Sequence, residues 1–452
     1  MCASTFETNP ASIPLDEFLR SRFRDLGSFR GLQKESIEAL LSGKNVMTIM
    51  PTGEGKSLIY TFIHLYTRSN VLVLSPLRSL CCDQAENSRV RYGCKSAFLG
   101  PDNGGPESNR EVLDRCRDGD SHLLFVSPEF FVAHYDTFLE INRASGFSLL
   151  VVDEAHVVFD WQYFRNCYSE LFSYIGDRFS NCPTLFLTAS LTIRESGMVQ
   201  SLLRSALPFV VFRSSCIRRN IYIHVRNARN PEADLIDCID CEEPTLVYFR
   251  YIKDIEKISS ELGILRIPHV VYYSTLPTAL KVENLLAFLR DEIRIMLTTS
   301  AIGMGFDKRN VRHVVHYGYP SSIRHFYQEI GRAGRDGKKS RSTVFLSTLT
   351  AQRQRFVTNM LMKPAQACFE TTQYALVKHI FNRANCVWQS IISVFDGRES
   401  FVDSSGNWDL DPCCSICTLY RKLRNTSVPF DSCHRELIGF CGMCRTVTVR
   451  SH

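Results

Sequence analysis

Met50-Pro-Thr-Gly-Glu-Gly-Lys-Ser57 is the stretch that decides the fold. It follows the apolar run 46–50 and opens a segment with helical periodicity. Strand, glycine-bearing loop and helix together make a phosphate cradle. The glycines let backbone N–H groups curl around phosphates, Lys56 neutralises the β/γ charge, and the Ser57 hydroxyl is placed to ligate Mg²⁺. The general pattern has a glycine where Met50 stands, and Gly53 adds freedom inside the loop. Pro51, Thr52, Gly53, Glu54, Gly55, Lys56 and Ser57 are therefore expected to line an ATP site.

Downstream, Val151-Val-Asp-Glu-Ala-His156 ends a strongly apolar run. Such a strand end is expected beside the phosphate loop. Asp153 would then hold Mg²⁺ and Glu154 would orient and deprotonate the attacking water, with His156 in the same catalytic set. A third segment, Gln328-Glu-Ile-Gly-Arg-Ala-Gly-Arg-Asp-Gly337, sets Arg332 and Arg335 three residues apart on a glycine-rich turn. Guanidinium groups are costly to bury without anions, so these two are expected to reach a γ-phosphate. An arginine of that kind contributes roughly 10³–10⁵ in rate where measured in other enzymes. Carried on a separate lobe, it ties hydrolysis to lobe closure, which is what a motor requires.

Around these motifs, short apolar runs alternate with amphipathic stretches, the pattern of parallel α/β layers. Runs at 46–50, 71–74, 123–126, 149–152 and 185–187 precede a second series at 246–249, 270–273, 293–297, 311–316 and 343–346. Helices are expected over 33–41, 253–262 and 278–290. Two such series predict two α/β lobes with a hinge near 214–220. Length agrees, since 452 residues exceed one ordinary domain and 44% hydrophobic residues supply sizeable cores. No run of 18 apolar residues predicts a membrane span, and the N-terminus lacks the basic-then-apolar pattern of an export signal. The 18 cysteines are thus read as reduced thiols with a metal site among them. The net charge of +6 decides little. Its distribution says more: Lys308, Arg309, Arg312, Arg324, Arg332, Arg335, Lys338, Lys339, Arg341, Arg353 and Arg355 form a basic stripe suited to phosphates.

Taken together the motifs resemble the RecQ branch of superfamily 2 helicases, over about residues 15 to 350. Phe29-Arg-Gly-Leu-Gln33 resembles the adenine-reading motif, which implies base contacts from Arg30 and Gln33. Leu74-Ser-Pro-Leu-Arg-Ser-Leu-Cys-Cys-Asp-Gln84 and Ser127-Pro-Glu129 resemble two further motifs. Leu187-Thr-Ala-Ser190 stands where the family couples hydrolysis to DNA, and Arg218-Arg-Asn220 resembles the lobe junction. Thr299-Ser-Ala-Ile-Gly-Met-Gly-Phe-Asp-Lys308 resembles the motif that touches the nucleotide ribose, through Asp307, and the DNA backbone. Val157-Val-Phe-Asp-Trp-Gln-Tyr-Phe-Arg165 is similar to the aromatic loop that senses single-stranded DNA, with Trp161, Phe164 and Arg165 matching. A base stacked on such a ring contributes roughly 1–3 kcal/mol. The loop is one residue shorter than the family pattern, and Gln162-Tyr163 replaces its usual glycine-histidine pair. Tyr272-Tyr-Ser-Thr-Leu276 lacks the family's histidine, and Tyr251-Ile252 replaces a serine-arginine pair.

The resemblance also implies a zinc module after the second lobe. One arrangement uses Cys386, Cys414 and Cys417 with Asp411 or Cys413. The other uses Cys414, Cys417, Cys441 and Cys444, a C-x₂-C…C-x₂-C set with ribbon-like spacing. The family commonly adds a winged-helix domain; with the sequence ending at His452, duplex contacts are expected from the tail or a partner. The expected architecture is therefore two tandem RecA-like parallel-sheet lobes, 1–216 and 217–349, followed by a small helical, cysteine-rich region, 350–452. The resemblance implies an ATP-dependent DNA helicase moving 3′-to-5′, with ATP, Mg²⁺ and Zn²⁺ as cofactors. Single-stranded and duplex DNA are the expected partners, and an intracellular location, nuclear in a eukaryote, goes with them. An RNA helicase of the wider superfamily and a non-catalytic binding module are the competing readings.

Overall fold

The computed structural model describes residues 13–23, 25–100, 106–160, 167–302, 306–347, 350–352, 364–381, 386–397 and 414–415. The chain divides between Cys216 and Ile217 into two units.

The first unit is built on β1 (Asn45–Ile49), β2 (Asn70–Leu74), β3 (Ser96–Leu99), β4 (Leu123–Val126), β5 (Phe147–Val152), β6 (Thr184–Thr188) and β7 (Phe209–Arg213). They lie in the order β3-β4-β2-β5-β6-β1-β7, and every pair is parallel. Strands covered on both faces must be apolar throughout. That is why Val71–Leu74 and Leu123–Val126 read as unbroken apolar runs and are buried along their whole length. Helix Gln33–Leu41 leads into β1, and among the connections Ser57–Thr67 joins β1 to β2 and Arg78–Tyr92 joins β2 to β3. Phe62, on the second of these helices, packs its ring against Phe18, Phe23 and Phe29.

The second unit repeats the plan with β8 (Ile221–Asn227), β9 (Thr245–Phe249), β10 (Val270–Tyr272), β11 (Ile295–Thr298), β12 (His313–Tyr317) and β13 (Ser340–Leu346). Their order is β10-β11-β9-β12-β13-β8, again parallel throughout. The outer edge of β8 is covered by chain from further on, which blocks the open ladder a bare edge would offer. Helix Val387–Asp396 brings Trp388, whose Nε1 donates to the Ile221 carbonyl at 3.1 Å. Cys414 forms a bridge with Ile223, and the Val225 N–H donates to Ser415 Oγ at 3.3 Å.

The two parallel α/β sheets match the expected fold class, and the expected helices are present as Gln33–Leu41, Ile252–Ile264 and Thr278–Leu289. Strands β3, β7 and β8 are additions that the apolar runs do not mark. Of the expected region 350–452, the structure describes helices Pro364–Phe381 and Val387–Asp396 and the pair Cys414–Ser415; Asp411, Cys413, Cys417, Cys441 and Cys444 lie outside the described residues. No helix among the described residues is long and apolar enough to cross a membrane.

Candidate nucleotide site

Because β5, β6 and β1 are neighbours in the first sheet, their C-terminal ends emerge side by side, where ligands of open parallel sheets bind. The ends are laced by main-chain bonds. Met50 N donates to Thr188 O at 3.0 Å, Ala155 N to Leu187 O at 2.9 Å, and Asp153 N to Leu74 O on β2 at 2.9 Å. Three motifs far apart in sequence thus meet on one sheet edge.

The phosphate loop turns through Gly53 and Gly55, with φ of 88° and 75°. Both angles lie in the left-handed region that side chains resist. Lys56 caps helix Ser57–Thr67, and its ammonium donates to the carbonyls of Met50 and Pro51 at 3.3 and 3.4 Å. Gln33 is buried and turned onto this loop. Its Nε2 donates to the carbonyls of Glu54 and Gly55, both at 2.9 Å. Its Oε1 accepts the Arg30 N–H at 2.9 Å. The segment expected to read adenine therefore braces the phosphate loop.

Asp153 is buried at the end of β5. Burial pushes its carboxyl up from the ordinary range, against the opposing pull of a hydrogen bond from Gln84 and the charge of Lys56. Glu154 follows with φ of 50°, a strained angle for a residue with a side chain. Its N–H is fixed on Asp153 Oδ1 at 3.0 Å. His156 Nδ1 lies 3.3 Å from Glu154 Oε2 and 3.0 Å from Thr188 Oγ1. Thr188 Oγ1 in turn accepts the Ser190 N–H at 3.1 Å. A continuous polar path thus runs from Glu154 through His156 and Thr188 to Ser190. Thr188 is the member that motif reading left without a role.

In the second unit the arginine turn is tied down by its own backbone. Arg218 donates to the carbonyls of Gly331, Ala333 and Gly334 at 3.3, 3.1 and 2.8 Å. Asn220 donates to Gly334 and Lys338 at 2.8 and 3.0 Å. Gly334 has φ of 55°, and a Cβ there would meet Asn220 Nδ2 at 2.4 Å. Arg332 is buried, with Nη1 on the Phe306 carbonyl at 3.3 Å and its guanidinium over the Phe306 ring. Arg335 Nη1 donates to Phe306 O and Asp307 Oδ1, both at 2.8 Å. Burial and the neighbouring Arg332 charge hold the Arg335 guanidinium below its usual value, against the pull of Asp307. The anion that meets Arg335 within this unit is Asp307, the residue expected at the ribose.

The basic stripe needs correction. Lys308 is buried, paired with Asp291 Oδ1 at 2.7 Å and lying over the Phe288 ring. Arg312 pairs with Asp336 at 2.5 Å and Arg341 with Glu243 at 2.8 Å. These side chains hold the unit together, while Arg309, Lys338 and Lys339 are exposed. Trp161, Phe164 and Arg165 lie outside the described residues, as do Arg353 and Arg355. Cys386 and Cys414 come together, Sγ to Sγ at 3.9 Å. No group of three or more metal-ligating side chains occurs among the described residues.

The DEAD/DEAH box helicase family model matches residues 30–199, and the helicase conserved C-terminal domain model matches 232–337. The ATP-dependent DNA helicase RecQ of Haemophilus influenzae is 30% identical over 323 residues, 70% of this chain and 51% of that protein. The chain belongs to the RecQ group of superfamily 2 helicases. A protein of Acanthamoeba polyphaga mimivirus, whose given name proposes an ATP-dependent RNA helicase, is 28% identical over 408 residues, 89% of this chain and 72% of that protein. The RecQ-group chain spans 28–35% of the length of several other curated relatives it matches. Among solved structures, S. cerevisiae Dbp5 bound to RNA and ADP BeF3 shares the fold. Its TM-score is 0.59 at 14% identity, over 76% of this chain and 90% of that one.

Proposed function

We propose that the chain hydrolyses ATP with Mg²⁺ and uses the cycle to move 3′-to-5′ along single-stranded DNA, unwinding duplex DNA. The observation that carries this reading is the meeting of Lys56, Asp153, Glu154, His156 and Ser190 on adjacent strand ends, in a chain of the RecQ group. Asp153, a buried carboxylate at the end of β5, and Ser57, the hydroxyl that opens the helix after β1, are hard-oxygen donors of the kind Mg²⁺ takes, so they are the residues to hold it. When bound, the cation supplies charge neutralisation at the β- and γ-phosphates. Lys56 and the loop N–H groups seat the phosphates. Glu154, its main chain fixed through Asp153, accepts the proton of the attacking water. Arg332 and Arg335 stabilise the charge that builds on the transferred group, which requires Arg335 to leave Asp307 as Asp307 turns to the ribose. The path from Glu154 to Ser190 is the route by which DNA contact reaches the water-activating carboxylate.

The same proposal assigns Cys386 and Cys414 to zinc. Two thiolates on a tetrahedral zinc with ~2.3 Å bonds stand ~3.8 Å apart, and these two stand 3.9 Å apart. That spacing favours the arrangement built on Cys386, Cys414 and Cys417, with Asp411 or Cys413 as fourth ligand, over the one that omits Cys386.

A second reading, an RNA-driven helicase, is favoured by the mimivirus relative. One assay addresses both: ATP hydrolysis by the full chain, alone and with single-stranded DNA or RNA, beside Lys56→Ala. Stimulation by DNA that Lys56→Ala abolishes is expected. Equal or greater stimulation by RNA would move the second reading forward, and turnover that survives Lys56→Ala would mean the phosphate site is misassigned.

A further inference from the structure

Gln84 closes the motif Leu74–Gln84, which gives it no individual role, and the structure places it at the Asp153 carboxylate. It lies on helix Arg78–Tyr92, and its Nε2 donates to Asp153 Oδ2 at 2.9 Å. The other carboxylate oxygen, Oδ1, accepts the Glu154 N–H at 3.0 Å. Each oxygen thus has one fixed donor, and together the two donors set the plane of the carboxylate. The helix that carries Gln84 is itself anchored. Leu80, Cys81 and Ala85 are buried, and Cys81 Sγ donates to the Ser75 carbonyl at 3.7 Å. The far side of the amide is also distinctive: Gln84 Oε1 is buried and accepts no hydrogen bond among the described residues.

A carboxamide has a donor side and an acceptor side. With the donor side on Asp153, the acceptor side is left over in a place shielded from bulk water. Those are the two properties an outer partner of a metal site needs. The donor orients the ligating carboxylate, and the acceptor accepts a hydrogen bond from water held by the cation. We infer that Gln84 is a positioning residue for the divalent cation, aligning Asp153 through Nε2 and receiving a cation-bound water at Oε1. The inference rests on the nucleotide reading proposed above and extends it to a residue outside the expected site.

Binding of the fluorescent nucleotide mant-ADP to the full chain separates the possibilities, titrated once in EDTA and once with Mg²⁺. Gln84→Ala and Gln84→Met should bind mant-ADP in EDTA within about twofold of the unsubstituted chain. The affinity gained on adding Mg²⁺ should shrink by about tenfold or more, the effect outer-shell changes have at metal sites. The electron paramagnetic resonance spectrum of Mn²⁺ bound with ADP should change in both variants. Gln84→Met retains the side-chain bulk, so a loss shared with Gln84→Ala comes from the missing amide rather than from a gap in packing. Two results overturn the inference: a Mg²⁺-dependent gain that stays within about twofold in both variants, or affinity that falls equally with and without Mg²⁺. Failure of the underlying reading is seen earlier and separately, as an unsubstituted chain whose mant-ADP affinity does not respond to Mg²⁺ at all, and it removes the inference with it.

Discussion

Asp153 and Arg335 are the central charges of the two units, and the units hold them in opposite ways. Asp153 hangs from a strand end, with one side-chain donor and one main-chain donor on its carboxylate. Lys56, whose charge acts on Asp153, donates to the carbonyls of its own loop at 3.3 and 3.4 Å. Arg335 sits on a turn whose carbonyls are held by Arg218 and Asn220, and its guanidinium is engaged with Asp307 and Phe306. The first arrangement leaves charges ready to exchange partners. The second is a rigid mount whose arginine must give up an existing partner to act. Substitutions in the first unit should therefore remove chemistry at little cost in stability, while those in the second divide according to whether they touch the arginine or its mount.

The largest effect is expected from the arginine itself. Arg335→Ala should lower nucleic-acid-stimulated hydrolysis by about 10³-fold or more. The melting temperature should barely move, because the Asp307 partner is 62% exposed and exposed ion pairs contribute ~0–1 kcal/mol. A variant that melts much earlier but keeps its turnover would reverse the assignment and make Arg335 part of the mount.

A smaller but still large effect belongs to the mount. Gly334→Ala puts a methyl 2.4 Å from Asn220 Nδ2 and 2.8 Å from the Lys338 carbonyl, at a positive φ. The cost should be about 2–4 kcal/mol in a denaturant titration. Gly55→Ala in the phosphate loop also has positive φ, but it meets only the tip of the Gln33 side chain, at 3.0 Å. It should cost less in stability while still weakening nucleotide binding. Equal destabilisation by the two changes would erase the contrast between the units.

What could be read from the sequence follows the same physical divide. Interior strands of a parallel sheet are covered on both faces, so they appear as unbroken apolar runs, and β1, β2, β4, β5 and β6 are all visible that way. The strands that escaped, β3, β7 and β8, are all sheet edges. β8 reads Ile-Tyr-Ile-His-Val-Arg-Asn and alternates between buried and half-buried positions at its start. β7 has no fully buried residue. Half-cover weakens the hydrophobic signal. Site residues divide likewise. Lys56, Asp153, Glu154 and His156 sit in motifs whose spacing carries the chemistry, and the structure brings them to adjacent strand ends. Gln84 and Thr188 also lie inside quoted motifs, but they act through partners about 70 and 30 residues away in sequence, and the motif alone does not name the partner. The basic stripe misled for a related reason. Charge counted along the chain does not show that Lys308 has Asp291 waiting in the turn before β11.

The smallest effect tests whether the second unit also carries its own acid sensitivity. His313 on β12 is buried, with Nε2 2.9 Å from Thr343 Oγ1 and 4.0 Å from Cys238 Sγ. Burial first, and then the charges of Arg341, Arg226 and His224, pull its pKa down from 6.5 to about 3. Above pH ~6.5 the ring is neutral in both folded and unfolded chains and contributes no pH dependence. As pH falls below that, the unfolded chain takes up a proton that the folded chain refuses, so stability is lost progressively until about pH 3. Between pH 7 and pH 5 the loss is about 2 kcal/mol, taking 1.36 kcal/mol per pKa unit. Gln in place of His313 can keep a polar contact with Thr343 while removing the titration. Denaturant titrations of His313→Gln should therefore show a shallower fall in stability from pH 7 to pH 5 than the unsubstituted chain shows. His64 in the first unit and His224 on β8 are lowered by burial as well, so an unchanged acid limb in His313→Gln would take the sensitivity away from His313 and point to those two residues.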